Sequence, residues 1–228
     1  RTSGIHVLNA DDPHVTLFAD FPSQKKITYG IQRGDLRATH VQSTAGGASF
    51  EVYGTRFTTH LGGQFNVYNA LAALATVAMY GVDLPTAQPV LGKIQGIPGR
   101  MEFVQQSPFA VVVDYAHTPD SLKAVYETLK ETLRQAQGKT QMSRLICVLG
   151  AAGGGRDKWK RPEFGKIAAE HCDTIILTNE DPYDEDPEQI LSQIKSGISN
   201  SQFLISNVFE IIDRKEAIRR ALTIAGDN

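Results

Sequence analysis

From residue 101 onward, short apolar runs alternate with helix-length amphipathic stretches, and this alternation restricts the fold more than any other feature of the chain. The runs at 101–105, 110–114, 145–149, 174–177 and 203–205 are expected as strands. The stretches at 119–136, 162–170, 187–198 and 214–224 are expected as helices. Three of these helices open on a proline, which is well suited to a first helical position because it has no N–H to leave unpaired. Runs such as Val111-Val112-Val113 and Ile175-Ile176-Leu177 have no polar face. That pattern predicts strands covered on both sides, as in a parallel sheet. The second part of the chain is therefore expected to be a doubly wound, mostly parallel α/β domain.

The first part reads differently. A strand at 5–8 runs into Asn9-Ala10-Asp11-Asp12-Pro13, and a second is expected at 26–31. Alternating segments at 48–53 and 56–61 flank Gly54 and predict an antiparallel hairpin. A helix over 66–80 should stop at Gly81, and Pro85 should open another reaching 94. The segment Gly96-Ile97-Pro98-Gly99 reads as a linker, which divides the chain into 1–97 and 98–228.

With 228 residues, 41% of them hydrophobic, the chain can build two cores. Its net charge of −2 gives no general electrostatic case for nucleic acid. The longest apolar run, 70–80, is well short of the roughly 18 residues of a membrane span. Cys147 and Cys172 lack metal-ligand spacing and are expected as buried thiols of a protein in a reducing, cytoplasmic compartment. The chain starts mid-motif at Arg1 and is expected to be a fragment.

Four stretches can carry chemistry. Gly99-Arg100-Met101-Glu102 precedes the strand ending in Asp114-Tyr115-Ala116-His117. Polar groups at the C-terminal end of a strand sit where open α/β sheets bind ligands. Arg100 suits a phosphate, Asp114 a ribose hydroxyl and His117 a phosphate oxygen or a base. Asn66 and Asn69 lie three residues apart at a helix start. Either Asn66 caps that helix, or the two amides read a base edge. The turn Gly150-Ala151-Ala152-Gly153-Gly154-Gly155 follows a strand and is followed by Arg156, Lys158, Lys160 and Arg161. Its backbone amides and these cations suggest an anion site, although the Gly-Lys-Ser/Thr of a phosphate loop is missing. Finally, Glu180-Asp181-Pro182-Tyr183-Asp184-Glu185-Asp186 is either an acidic loop capped into a helix by Asp186 or a pocket for a cationic amine. Opposite charges at two strand ends would match the carboxylate and the amine of an amino acid.

Taken in order, these motifs resemble the Mur ligase family, ATP-dependent enzymes that form amide bonds in peptidoglycan precursors. The resemblance rests on Asn9 to Asp12, Gly62 to Asn69, Gly99 to Glu102, Asp114 to Asp120, Gly154 to Lys158 with Lys160-Arg161-Pro162, and the Asp181-Pro182 loop. It covers nearly the whole chain and is nearest to members that add the third amino acid. It implies that residues 1–97 are the tail of a central ATPase domain and 98–228 most of a Rossmann-like C-terminal domain. It implies ATP and Mg²⁺ as cofactors, with Asn66, Asn69, Arg100, Asp114 and His117 at the nucleotide. It implies that Arg156 holds the amino acid's carboxylate, with Asp157, Lys158, Glu180, Asp181 and Tyr183 lining the same pocket. The partners implied are a UDP-N-acetylmuramoyl dipeptide and a free amino acid, with no nucleic acid or membrane, for a monomeric cytoplasmic enzyme.

Two departures matter. The phosphate-binding loop, the metal-binding acid and the carbamylated lysine of the family are expected upstream of Arg1, and a Gly-His-Glu segment downstream of Asn228. The fragment alone is therefore expected to be inactive, with no catalytic or metal-binding residue of its own. Diaminopimelate-using members carry Asp-Asn-Pro-Arg where this chain has Glu180-Asp181-Pro182-Tyr183. Tyrosine supplies no bidentate cation, and the surrounding acids lean towards L-lysine or a similar diamine. The rival readings are a folylpolyglutamate synthase-like ligase, which adds glutamate, and a non-catalytic precursor-binding homologue.

Overall fold

In a computed structural model, the described residues are 4–136, 144–155, 157–200 and 207–226. They form two compact units, Arg1–Glu102 and Phe103–Asn228.

In the first unit, β1 (Ile5–Asn9), β2 (Lys25–Gly30) and β3 (Leu36–Arg37) form a parallel sheet in that order. An antiparallel sheet follows, made of β4 (Thr39–Thr44), β5 (Gly47–Val52) and β6 (Thr55–Thr59). The β5–β6 turn places Tyr53 at φ 48° and Gly54 at φ 77°, the paired positive φ that a two-residue type I′ turn requires. Its register sets Phe50 opposite Phe57, with ring centroids 5.4 Å apart. Helices α1 (Val15–Ala19), α2 (Gln64–Met79) and α3 (Leu84–Lys93) complete the unit. Helix α2 packs on strands of both sheets. Its Val67, Leu71, Leu74 and Ala75 join Phe50, Val52, Phe57 and Leu36 in one core. The short α1, β3 and β4 carry little periodicity and have no counterpart among the expected elements.

The ends of α2 and α3 follow local chemistry. Gly81 at φ 87° stops α2, with Val82 N bonded to Val77 O and Gly81 N to Ala78 O, a Schellman closure. Asp83 caps α3 by accepting from Thr86 N at 2.8 Å. At the start of α2 the cap is Gly63, so Asn66 lies inside the helix and the N-cap reading of Asn66 is corrected.

In the second unit, β9 (Ile146–Leu149), β10 (Thr174–Leu177) and β11 (Val208–Glu210) form a parallel sheet in the order β11-β10-β9. The central β10 is buried throughout, as its apolar run predicts. Strands β7 (Glu102–Gln105) and β8 (Val111–Val113) form a separate pair. Val113 is 46% exposed, so the expectation that β8 is covered on both faces is corrected: among the described residues β8 pairs with β7 alone. The expected strand at 203–205 lies outside the described residues, and β11 was not anticipated.

Helices α4 (Pro119–Ala136), α5 (Lys160–His171), α6 (Pro187–Ser199) and α7 (Arg214–Gly226) agree with the expected helices to within two residues. Helices α5 and α6 meet backbone to backbone. A Cβ on Gly165 would lie 1.9 Å from Ile194 O, and one on Gly197 1.8 Å from Pro162 O. Cys147 on β9 and Cys172 at the end of α5 are joined in a disulfide, which corrects the expectation of two thiols. They are 25 residues apart, and only the β9–α5 crossover brings their Cα atoms to 6.0 Å.

Candidate functional site

In the first unit, Asp11 follows β1 and turns its carboxylate onto the loop after β2. It accepts from Ile31 N at 2.6 Å, Gln32 N and Arg33 N at 2.9 Å, and the Tyr68 hydroxyl at 3.0 Å. Gly30 makes this approach possible, since a Cβ there would meet Asp11 Oδ2 at 2.7 Å. Burial of Asp11 opposes ionisation, but the N–H donors of Gln32 and Ile31, the Tyr68 hydroxyl and Arg33 N outweigh it. Its carboxyl therefore sits below the ordinary value. Burial and the Asp11 charge push the Tyr68 phenol up to about 12, so it stays a donor.

Tyr68 lies between Asn66 and Asn69 on α2, so Asp11 anchors the turn that carries both asparagines. Asn66 is buried and donates its amide to Gly62 O at 2.7 Å. Its Oδ1 accepts from Asn69 Nδ2 at 3.0 Å. The two expected residues are thus brought together, but with unequal roles. Asn66 is enclosed and orients its partner, while Asn69 is exposed. Gly62 is required here, because a Cβ would lie 1.9 Å from Ala45 O. Arg100 is exposed in a tight turn at the end of the unit, with its N bonded to Ile97 O at 3.0 Å. Gly99 at φ 68° and the Glu102 carboxylate, which accepts from Gly99 N at 2.7 Å, shape that turn.

In the second unit, Asp114 and His117 occupy the connection from β8 to α4. Asp114 Oδ1 accepts from Ala116 N at 2.8 Å. His117 Nδ1 lies 3.0 Å from Tyr115 O, and a carbonyl can only accept, so this nitrogen carries the proton. The outward Nε2 is then an acceptor in the neutral ring and a donor only in the imidazolium. The Tyr115 and His117 rings lie 4.9 Å apart. Thr118 and Ser121 bond to each other's backbone N–H and start α4.

The glycine-rich turn after β9 and the acidic loop after β10 lie against each other. Gly153 N donates to Asp181 O at 2.7 Å, and a Cβ on Gly153 would lie 2.0 Å from Pro182 O. Glu185 joins the two segments further. Its Oε1 accepts from Gly155 N at 2.7 Å and Arg161 Nη2 at 3.0 Å, and its Oε2 from Arg161 Nη1 at 3.0 Å and Lys158 Nζ at 2.9 Å. The Arg161 side chain is 2% exposed and also bonds Ala152 O and Gln193 Oε1. Arg161, then Lys158 and the Gly155 amide, hold the Glu185 carboxyl far below the usual range.

This network shows how the cations of the turn are used within the protein. Lys158 and Arg161 share the single negative charge of Glu185, and Lys160 pairs with Asp157 at 2.6 Å. Asp186 caps α6 by accepting from Glu188 N at 2.9 Å, which bears out the capping reading of that residue. Arg156 lies outside the described residues. Asp157, Lys158, Glu180, Asp181 and Tyr183 all belong to the two joined segments and are exposed. Sequence reasoning did not single out Tyr68, Arg161's burial or Glu185 as a joint. Residues 161 and 185 are far apart in sequence, and no local pattern links them. Among the described residues, no group of three or more His, Cys, Asp or Glu is placed to hold a metal ion.

The chain matches known proteins along its length. Residues 1–77 match the Mur ligase middle domain and residues 99–228 the Mur ligase, glutamate ligase domain. It is 38% identical over 230 residues to the UDP-N-acetylmuramoyl-L-alanyl-D-glutamate--2,6-diaminopimelate ligase of Halalkalibacterium halodurans, covering 98% of this chain and 44% of that protein. It is 40% identical over 225 residues to the protein of the same name from Bacillus velezensis, covering 96% and 43%. The chain therefore spans less than half the length of these curated relatives. The crystal structure of MurF from Acinetobacter baumannii shares the fold, with a TM-score of 0.74 at 20% identity, covering 100% of this chain and 46% of that one. With both domains matched in the order that its motifs follow, the chain belongs to the Mur ligase family.

Proposed function

We propose that the protein containing these two units is an ATP-dependent ligase that adds meso-diaminopimelate to UDP-N-acetylmuramoyl-L-alanyl-D-glutamate. The observation that carries this reading is 38–40% identity, along almost all of the chain, to ligases named for that reaction. The joined loops of the second unit support it by weakening the case for lysine. Glu185 is neutralised within the protein and Asp186 caps α6, so two of the five acids in residues 180–186 are not directed at a ligand. In this reading the hydroxyl of Tyr183, which is 64% exposed, serves as a donor to the distal carboxylate.

In this reading residues 1–97 end the central ATP-binding domain and 98–228 form the amino-acid domain. Asn69, oriented by Asn66, offers its carboxamide oxygen to the exocyclic amine of adenine. Arg100 serves phosphate, and Asp114 a ribose hydroxyl. His117 accepts from ribose through neutral Nε2, or donates to phosphate when protonated. Arg156, Asp157, Lys158, Glu180, Asp181 and Tyr183 serve the incoming amino acid. The substrate's terminal carboxylate takes the γ-phosphoryl group of ATP, releasing ADP. The amino acid's amine attacks the acyl carbon, and phosphate leaves as the amide forms. Mg²⁺ would neutralise charge on the transferring phosphoryl oxygens; no residue of this chain is assigned to it. ATP and the UDP-linked dipeptide are water-soluble anions, and we place the enzyme in the cytoplasm.

The test is ligation by the full-length protein with ATP and the UDP-linked dipeptide, offering meso-diaminopimelate and L-lysine in parallel. Amide product with diaminopimelate and release of ADP are expected. A preference for lysine would overturn the substrate assignment, and no product with either would overturn the ligase reading.

A further inference from the structure

We propose that Glu185 is a positioning residue for the incoming amino acid: its carboxylate pins the glycine-rich turn to the 181–186 loop, so amino-acid affinity, and not ATP affinity, depends on it. This rests on the ligase reading above.

All four contacts to the Glu185 carboxylate come from residues 155–161. Gly155 and Lys158 are therefore held to one carboxylate at both ends of a short segment. Arg161 is fixed on the far side by Ala152 O at 3.1 Å and Gln193 Oε1 at 2.7 Å, so it cannot follow Glu185 if the loop moves. A carboxylate offers about four lone-pair sites, and four donors fill them. Glu185 thus has no acceptor capacity left for a substrate amine and acts through the segments it joins.

The backbone carries an independent mark of that constraint. Asp157 has φ 55° and Tyr183 has φ 52°, left-handed values that non-glycine residues adopt uncommonly. One lies in each segment, within three residues of a Glu185 contact or of Glu185 itself. Such conformations persist where the surroundings over-determine them, and they collect at ligand sites. Here the surroundings include the Gly153–Asp181 bond and the Tyr183 ring, against which a Cβ on Gly154 would lie at 3.4 Å. The joint holds Tyr183 in an orientation that leaves its ring exposed.

Glu185→Gln keeps the shape and removes the charge. In the full-length enzyme it should raise the KM for the amino acid about tenfold, while the KM for ATP stays within about twofold. Glu185→Asp, which keeps the charge on a shorter arm, should recover part of that loss. Trypsin cleavage after Lys158 and Lys160, read by mass spectrometry below the unfolding temperature, should speed up about tenfold in Glu185→Gln as the local opening equilibrium shifts. If Glu185→Gln gives no cooperative unfolding transition, Glu185→Asp takes its place and should raise the amino-acid KM by about threefold. An unchanged amino-acid KM, or a parallel rise in both KM values, would overturn the proposal. Absence of product from the wild type overturns the ligase reading instead, and the cleavage rates then decide the joint on their own.

Discussion

Asp11 and Glu185 each tie two segments together through one carboxylate, but their donors differ. Asp11 is held by three backbone N–H groups and a phenol, with the exposed Arg33 side chain only at 3.9 Å. Glu185 is held by two cationic side chains and one backbone N–H. The first is a joint of the polypeptide backbone, indifferent to the side chains at 31 and 32. The second depends on two particular side chains, and its outer member, Lys158, is 52% exposed. The difference teaches where each unit is tunable. The loop beside the asparagines is set by chain geometry, whereas the proposed amino-acid loops are set by charge pairing that one substitution can alter.

The sharpest way to break the comparison is Arg161→Ala. It removes a side chain that is 2% exposed and strips Glu185 of two of its four contacts. Loss of the buried guanidinium also leaves Ala152 O and Gln193 Oε1 without their donor, and a fall on the order of 3 kcal/mol in denaturant-unfolding free energy is expected. Little change would mean that the second joint carries no structural weight.

Asp11→Asn should cost about 2 kcal/mol, because an amide nitrogen then faces backbone donors that lose their acceptor. Its pH signature separates it from a packing defect. The folded carboxyl of Asp11 lies below its ordinary value of 3.8. Its contribution is therefore complete above that value and is lost as pH falls from there through the lowered folded value. Stability of the wild type should drop across this acid window more steeply than that of Asp11→Asn; parallel curves would contradict the assignment.

Tyr68→Phe removes one donor of the Asp11 joint and leaves the backbone three. About 1 kcal/mol of destabilisation is expected, with a modest rise in KM for ATP in the full-length enzyme. The smallest effect on stability is expected for Lys158→Met, about 0–1 kcal/mol at low salt and less at high salt, where exposed pairs are screened. A larger, salt-independent loss would show that Lys158 belongs to the buried part of the joint.

Much of the fold was legible in advance, and the reason is local in each case. Strand β10 is apolar at every position, and α6 opens on Asp186-Pro187, a cap followed by a helix-starting proline. The Tyr53-Gly54 turn and the Gly81 stop follow from backbone freedom at a single residue. What failed was either short or non-local. The two-residue β3 is too brief to show a period, and Asn66 sits past the cap because Gly63 starts the helix first. The two cysteines read as isolated thiols because their meeting depends on a 25-residue crossover.

The site divides along the same line. Residue types suited to a nucleotide and an amino acid could be named from motif order, since chemistry resides in single side chains: Asn69, Arg100, Asp114, His117, Tyr183. Their state could not. Arg161 read as one of four cations inviting an anion, yet burial makes it a structural partner of Glu185. The amino-acid sequence by itself determined the alternation, the Asp186 cap, the Gly81 stop and the family motifs, because those depend on neighbours along the chain. Tertiary structure alone decided which charges are neutralised inside the protein and which remain for a ligand, because pairing requires donors and acceptors that only the packed strands and helices bring within hydrogen-bond distance.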